Sequence, residues 1–169
     1  MNKKFVAIVG AILLLSACET ASQKVVTGSS TSGSASSSSS VDKKKSLFAA
    51  AKKTAADKLI AVGDRVLFDY DSATLDSSAK ILLDAQSRFL RANTDLNFII
   101  EGHCDERGTR EYNLALGEQR ATAVRDYLVI QGIDPDRIKV ISYGKEKPAV
   151  VGSNTMAWSK NRRAVTIID

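Results

Sequence analysis

The chain has 169 residues, 44% of them hydrophobic, with 24 Lys+Arg against 19 Asp+Glu and a formal net charge of +5. The excess lies at one end: residues 64–169 hold 15 Lys+Arg and 16 Asp+Glu, so the stretch able to fold is nearly neutral. That balance argues against a nucleic-acid partner, which needs a basic face, and the length allows one ordinary domain with its own core.

Residues 1–17 read as a secretory signal, with Lys3 and Lys4 ahead of the short apolar run "FVAIVGAILLL". The run is shorter than the roughly 20 apolar residues a spanning helix needs. It ends in "LLSAC", Leu14 to Cys18, which resembles the lipobox of bacterial lipoproteins. The resemblance implies cleavage before Cys18, a diacylglyceryl thioether on its sulfur and an acyl chain on its new amino group. Several chains anchor stably where one holds only marginally. Residue 19 is Glu, not the Asp that tends to mark inner-membrane retention in enteric lipoproteins, so the expected location is the outer membrane. With Cys18 carrying lipid, Cys104 has no partner and the chain has no disulfide framework.

The next segment, 18–45, reads as a tether because "GSSTSGSASSSSS" (Gly28 to Ser40) cannot bury apolar surface. As a coil it would span roughly 30 Å, with a contour limit of roughly 95 Å. The lysines of "DKKK" and "AAKKTAADK" either keep it solvated or rest on an anionic surface. Residues 46–63 fit a short helix with Phe48, Ala51, Ala55, Leu59 and Val62 on one face.

Strand and helix patterns then alternate through 64–169. "RVLFDYD" (65–71) is a strand, and 76–93 a helix capped by Asp76 that buries Ile81, Leu82, Ala85, Phe89 and Leu90. "LNFIIEGH" (96–103) is a second strand. A long helix follows over 109–132, with Thr109 as N-cap and Gly132 as its stop. Strands at 137–144 and 163–169 flank a polar loop with one helical turn near Ala157 to Asn161. The βαβαβ(α)β order predicts an α/β sandwich, two main helices packed on a four-stranded sheet.

"GHCDERGTREYNLALGEQRA", Gly102 to Ala121, concentrates the only histidine with acids and arginines. It is a poor metal site, since consecutive residues of an extended chain point to opposite faces and no second histidine completes a ligand set. Nor does it suit nucleophilic catalysis: Cys104, in register with Phe98 and Ile100, faces the core, and His103 faces away as a hydrogen-bonded strut. On the long helix Leu114, Gly117, Ala121, Val124 and Leu128 follow the sheet-facing stripe, which brings Arg120 out on its edge beside the loop that bears Asp105. From there Arg120 is expected to be replaceable with little loss of stability. A carboxylate and a guanidinium on one rim either hold each other or hold a zwitterionic amino-acid centre.

The run 102–124, with the later "SYGKEKP" and "KNRRAV", resembles the peptidoglycan-binding signature of OmpA-like domains, in the version found in the lipid-anchored branch of that family. The resemblance covers about residues 64–169 and implies a mixed sheet, no cofactor, no metal and no enzymatic activity. It implies that Asp105 and Arg120 engage the zwitterionic end of meso-diaminopimelate in the wall's stem peptide. Tyr70, Asp71 and Ser72 would line the pocket from the first strand end, and Thr109, Asn113 and Leu116 from the helix start. Expected partners are peptidoglycan, outer-membrane lipid through Cys18, TolB, TolA and other outer-membrane proteins. A wall anchor for another envelope assembly and a wall-modifying hydrolase are the alternatives. "SKNRRAV" resembles a second family signature, with Arg162 and Arg163 less solvated than Lys160.

Overall fold

The computed structural model describes residues 39–169, with side chains from Leu47 onward. The signal segment, Cys18 and the tether as far as residue 38 lie outside the described residues. The elements in chain order are α1 (Ser39–Val62), β1 (Arg65–Leu67), α2 (Ser77–Ala92), β2 (Phe98–His103), α3 (Arg110–Ile130), a 3-10 turn (Pro135–Arg137), β3 (Ile138–Gly144), α4 (Thr155–Asn161) and β4 (Arg163–Ile168). The strands form one mixed sheet in the order β1-β4-β2-β3: β2 and β3 are parallel, and β4 is antiparallel to both its neighbours. The fold is the α/β sandwich expected from the sequence. No described helix is long and apolar enough to cross a membrane.

One face of the sheet, with Val66, Phe98, Ile100, Ile138 and Ala164, meets α2 and α3 in a single core that includes Leu83, Leu90, Val124 and Leu128. Alternation along β2 explains the choice of face: Phe98 and Ile100 are fully buried, and Gly102 continues the same row. At Gly102 the helix lies on the strand. A Cβ there would sit 1.8 Å from the carbonyl oxygen of Gly117 on α3, so two facing glycines set the depth at which the helix docks. Asp76 caps α2 and Thr109 caps α3 through side-chain oxygens that accept from Ala79 and Tyr112 amides.

Four expectations need correction. Helix α1 begins seven residues ahead of Ser46; the stretch 39–45 has no Gly or Pro, begins with serines suited to a helix start and continues in lysines that tolerate a helix interior. Among its described side chains Ala55 and Leu59 are buried, while Phe48 is 67% exposed. Strand β1 stops at Leu67, because the chain turns at Asp71, whose φ of 54° is left-handed and suits aspartate better than most residues. Helix α2 buries Leu90 and packs Leu82 and Phe89 against the core as expected, but Ile81 is 71% exposed and Ala79, Leu83, Gln86 and Ser87 are inside. A buried glutamine is tolerable because its amide is satisfied, Nε2 donating to the Gly63 carbonyl (2.7 Å) and Oε1 accepting from Thr166 Oγ1 (3.0 Å).

Candidate binding site

The C-terminal end of β2, the turn at 104–109 and the start of α3 enclose one small cavity together with the Tyr70–Asp71 turn. Asn113 shapes the turn by donating from Nδ2 to the carbonyls of Arg107 (2.7 Å) and Thr109 (2.9 Å). Gly108 supplies the left-handed φ of 87° on which the turn reverses. On the opposite wall Tyr112 donates its hydroxyl to the Asp71 carboxylate.

Arg120 is not at the rim. Its side chain is fully buried. Nε donates to the Ser72 carbonyl (2.8 Å), Nη1 to the His103 carbonyl (2.9 Å) and Cys104 Sγ (3.4 Å), and Nη2 to the Asp69 carbonyl (3.0 Å). Four of its five N–H groups are thereby used. Burial pushes its pKa down from the ordinary value, with the Asp105 charge acting the other way. The edge position read from periodicity is correct for its backbone, but the long side chain folds inward to join three segments.

Asp105 is 4% exposed and has different arginine partners. Oδ1 accepts from the Arg107 amide (3.1 Å) and Nε (3.1 Å), while Oδ2 accepts from Arg107 Nη2 (2.6 Å) and Arg162 Nη1 (3.3 Å). Burial alone would raise its pKa; the hydrogen bonds from Arg107 and Arg162 override this and hold the carboxyl below the ordinary carboxylate value. Arg162 is fixed in turn, its Nε donating to the Phe68 carbonyl (3.0 Å). The Arg107 guanidinium lies 4.1 Å from the Tyr70 ring centroid and 4.3 Å from that of Trp158.

The cavity measures about 50 Å³. Of the eight residues expected to bind the wall, Tyr70, Asp71, Asp105, Asn113, Leu116 and Arg120 line it. Ser72 contributes only its carbonyl to Arg120, and Thr109 serves as the α3 cap. Sequence reasoning missed Arg107, Arg162 and Tyr112, which also line the space. An Asp-x-Arg spacing across a glycine turn was a usable signal for Arg107. No local signal marks Arg162, 57 positions from its carboxylate. Cys104 is buried as expected, its thiol donating to the Asn113 carbonyl (3.3 Å), and burial pushes its pKa up, which keeps it protonated at neutral pH.

Residues 67–162 match the OmpA family. The chain belongs to that family. The match begins at the last residue of β1 and ends at Arg162, and so contains every residue around the cavity. The chain is 52% identical over 112 residues to a Rhizobium meliloti peptidoglycan-associated lipoprotein, a match covering 66% of this chain and 64% of that protein. A Pseudomonas aeruginosa protein of the same name is 48% identical over 96 residues, 57% of this chain and 56% of its own. The crystal structure of the peptidoglycan-associated lipoprotein from Burkholderia pseudomallei superposes with a TM-score of 0.61 at 39% identity, over 63% of this chain and 90% of that one. The C-terminal domain of Helicobacter pylori MotB, at 18% identity and a TM-score of 0.59 over 63% of this chain and 84% of its own, shares the fold.

His103 is not the hydrogen-bonded strut expected of a strand end. It is 1% exposed, and neither ring nitrogen has a well-formed hydrogen bond among the described residues, Nε2 lying 3.5 Å from a Glu101 carboxylate oxygen. Its ring stacks on Tyr143 with centroids 5.6 Å apart. Burial first, and then the Arg163 and Lys147 charges, push its pKa from 6.5 down to about 4. The unfolded chain therefore binds a proton at about pH 6.5 that the folded one refuses until about pH 4. Stability contributed by the neutral ring is complete above pH 6.5 and falls by about 3 kcal/mol between the two values. Urea titrations at pH 7.5 and pH 4.5 should record most of that fall, and His103→Phe should remove the greater part of it. Asp105 adds little in this window, since the stability held by its depressed pKa is lost mainly as pH falls below the ordinary carboxylate value of 3.8.

Proposed function

We propose that the chain is an outer-membrane lipoprotein whose domain, residues 64–169, faces the periplasm and grips peptidoglycan without cleaving it. Lipid on Cys18 fixes one end, and the domain takes the diaminopimelate end of a stem peptide at the other. The observation that carries this reading is the meeting in one cavity of the Asp105 carboxylate and the Arg120 guanidinium, which keeps one N–H uncommitted, opposite charges suited to a zwitterionic amino-acid centre. The names of the relatives support it. Each grip can be weak, because a membrane-held domain facing a repeating polymer rebinds at high effective concentration. On this reading the chain belongs to the Tol-Pal system, which maintains the envelope and draws the outer membrane inward at division. TolB competes for the wall-binding face, and TolA and other outer-membrane proteins are further partners.

Retention on purified sacculi tests the reading. Asp105→Asn keeps the side-chain shape and removes the charge; losing a desolvated partner of a ligand charge costs about 2–5 kcal/mol, which is roughly thirtyfold or more in affinity. Circular dichroism should show the variant folded while retention disappears. Undiminished retention of a folded Asp105→Asn protein would remove Asp105 from the site.

A further inference from the structure

A carboxylate offers about four acceptor positions, and at Asp105 all are filled: two donors reach Oδ1 and two reach Oδ2. Three of the four come from Arg107. The Arg107 guanidinium lines the cavity and stands where an incoming cation would meet the carboxylate. The site as it stands is closed to the cation it would receive.

We infer that Arg107 is the domain's own occupant of the cationic subsite, and that a ligand ammonium enters by displacing its guanidinium from Asp105. The inference rests on the reading that the cavity takes the zwitterionic end of a wall peptide. Of the two arginines on Asp105, Arg107 is the one able to leave. Its side chain is 35% exposed against 14% for Arg162, and Arg162 is tied to the Phe68 carbonyl, whereas among the described residues the Arg107 side chain donates hydrogen bonds to Asp105 alone. The faces of Tyr70 and Trp158 give the displaced guanidinium a surface on which to pivot without losing its cation–π contacts. Exchange of one cation for another keeps the buried carboxylate paired throughout, so opening the cavity never exposes Asp105 as a lone buried charge. The specificity follows: a ligand with a carboxylate but no ammonium has nothing to offer Asp105 and leaves the cavity shut.

Two-state proteins commonly hold a minor form at about 0.1–10%, and apparent affinity falls by the fraction that is competent. Removing the occupant should therefore tighten binding about tenfold or more. The test titrates the full-length chain in detergent with meso-diaminopimelate, wild type beside Arg107→Ala, with sacculus retention measured in parallel. Tighter binding by Arg107→Ala, and no binding of N-acetylated diaminopimelate by either protein, is the expected result. Equal or weaker binding by a folded Arg107→Ala overturns the inference and leaves the proposed function standing if the wild type is retained on sacculi. Failure of the wild type to be retained defeats both. If Arg107→Ala does not fold, Arg107→Gln keeps most of the side-chain stem over Tyr70 and Trp158 and removes the cation from Asp105. It too should tighten binding, and unchanged affinity there overturns the inference.

Discussion

Gly102→Ala is expected to lower the melting temperature of the domain by about 10–20 °C, a large response to one methyl group. The added carbon would lie 1.8 Å from the Gly117 carbonyl oxygen, 2.5 Å from its carbonyl carbon and 3.1 Å from its Cα. All three are backbone atoms, so no side chain can rotate away and α3 itself must lift. Overpacking usually costs about 1–3 kcal/mol and more where nothing yields, and each kcal/mol is worth about 4–8 °C in a domain near 100 residues. Lifting α3 also withdraws Asn113, Leu116 and Arg120 from the cavity, so wall retention should fall with stability. Gly132→Ala is the control: its φ of 89° strains an alanine, but nothing lies within 4 Å of the added carbon. That change should cost about 1 kcal/mol. Thermal melts of the two variants differing by only a few degrees would refute the helix-depth account.

Arg120→Ala should be comparably damaging, destabilising the domain by about 3–5 kcal/mol. Truncation deserts the carbonyls of Asp69, Ser72 and His103 together and opens a void under Phe68, whose ring centroid lies 5.3 Å from the guanidinium. Arg120→Lys should rescue little, because an ammonium cannot span three carbonyls arranged for a planar fork. Urea denaturation of the three proteins measures this, and an Arg120→Ala midpoint close to the wild type would contradict it. Loss of wall binding in Arg120 variants consequently confounds folding with recognition, whereas Asp105→Asn separates them.

The strands, the caps at Asp76 and Thr109 and the core row Phe98, Ile100 and Cys104 were legible in the sequence, because alternation and capping are local physics. So were the polar composition of the pocket and the nearness of Asp105 to the N-terminal end of α3. What was not legible depends on contacts between distant segments. Periodicity assigns Arg120 to a helix edge, but whether a long side chain continues outward or folds back depends on carbonyls that residues 69, 72 and 103 present only after folding. Helix α2 was misread for a related reason: counting apolar residues favours Ile81, while the fold buries Gln86 because Gly63 and Thr166 satisfy its amide. His103 was misread because a histidine buried without hydrogen bonds runs against the usual rule for polar groups.

The strand order has a kinetic consequence. β1 and β2 are not neighbours in the sheet; β4, some sixty residues downstream of β2, sits between them and closes the sheet. A chain emerging N-terminus first can form its helices and the β2-α3-β3 unit early, but β1 has nowhere to pair until β4 arrives. Arg162, the fixed cation on Asp105, arrives on the same segment. The ring of partners around Asp105 is thus complete only after the step that completes the sheet.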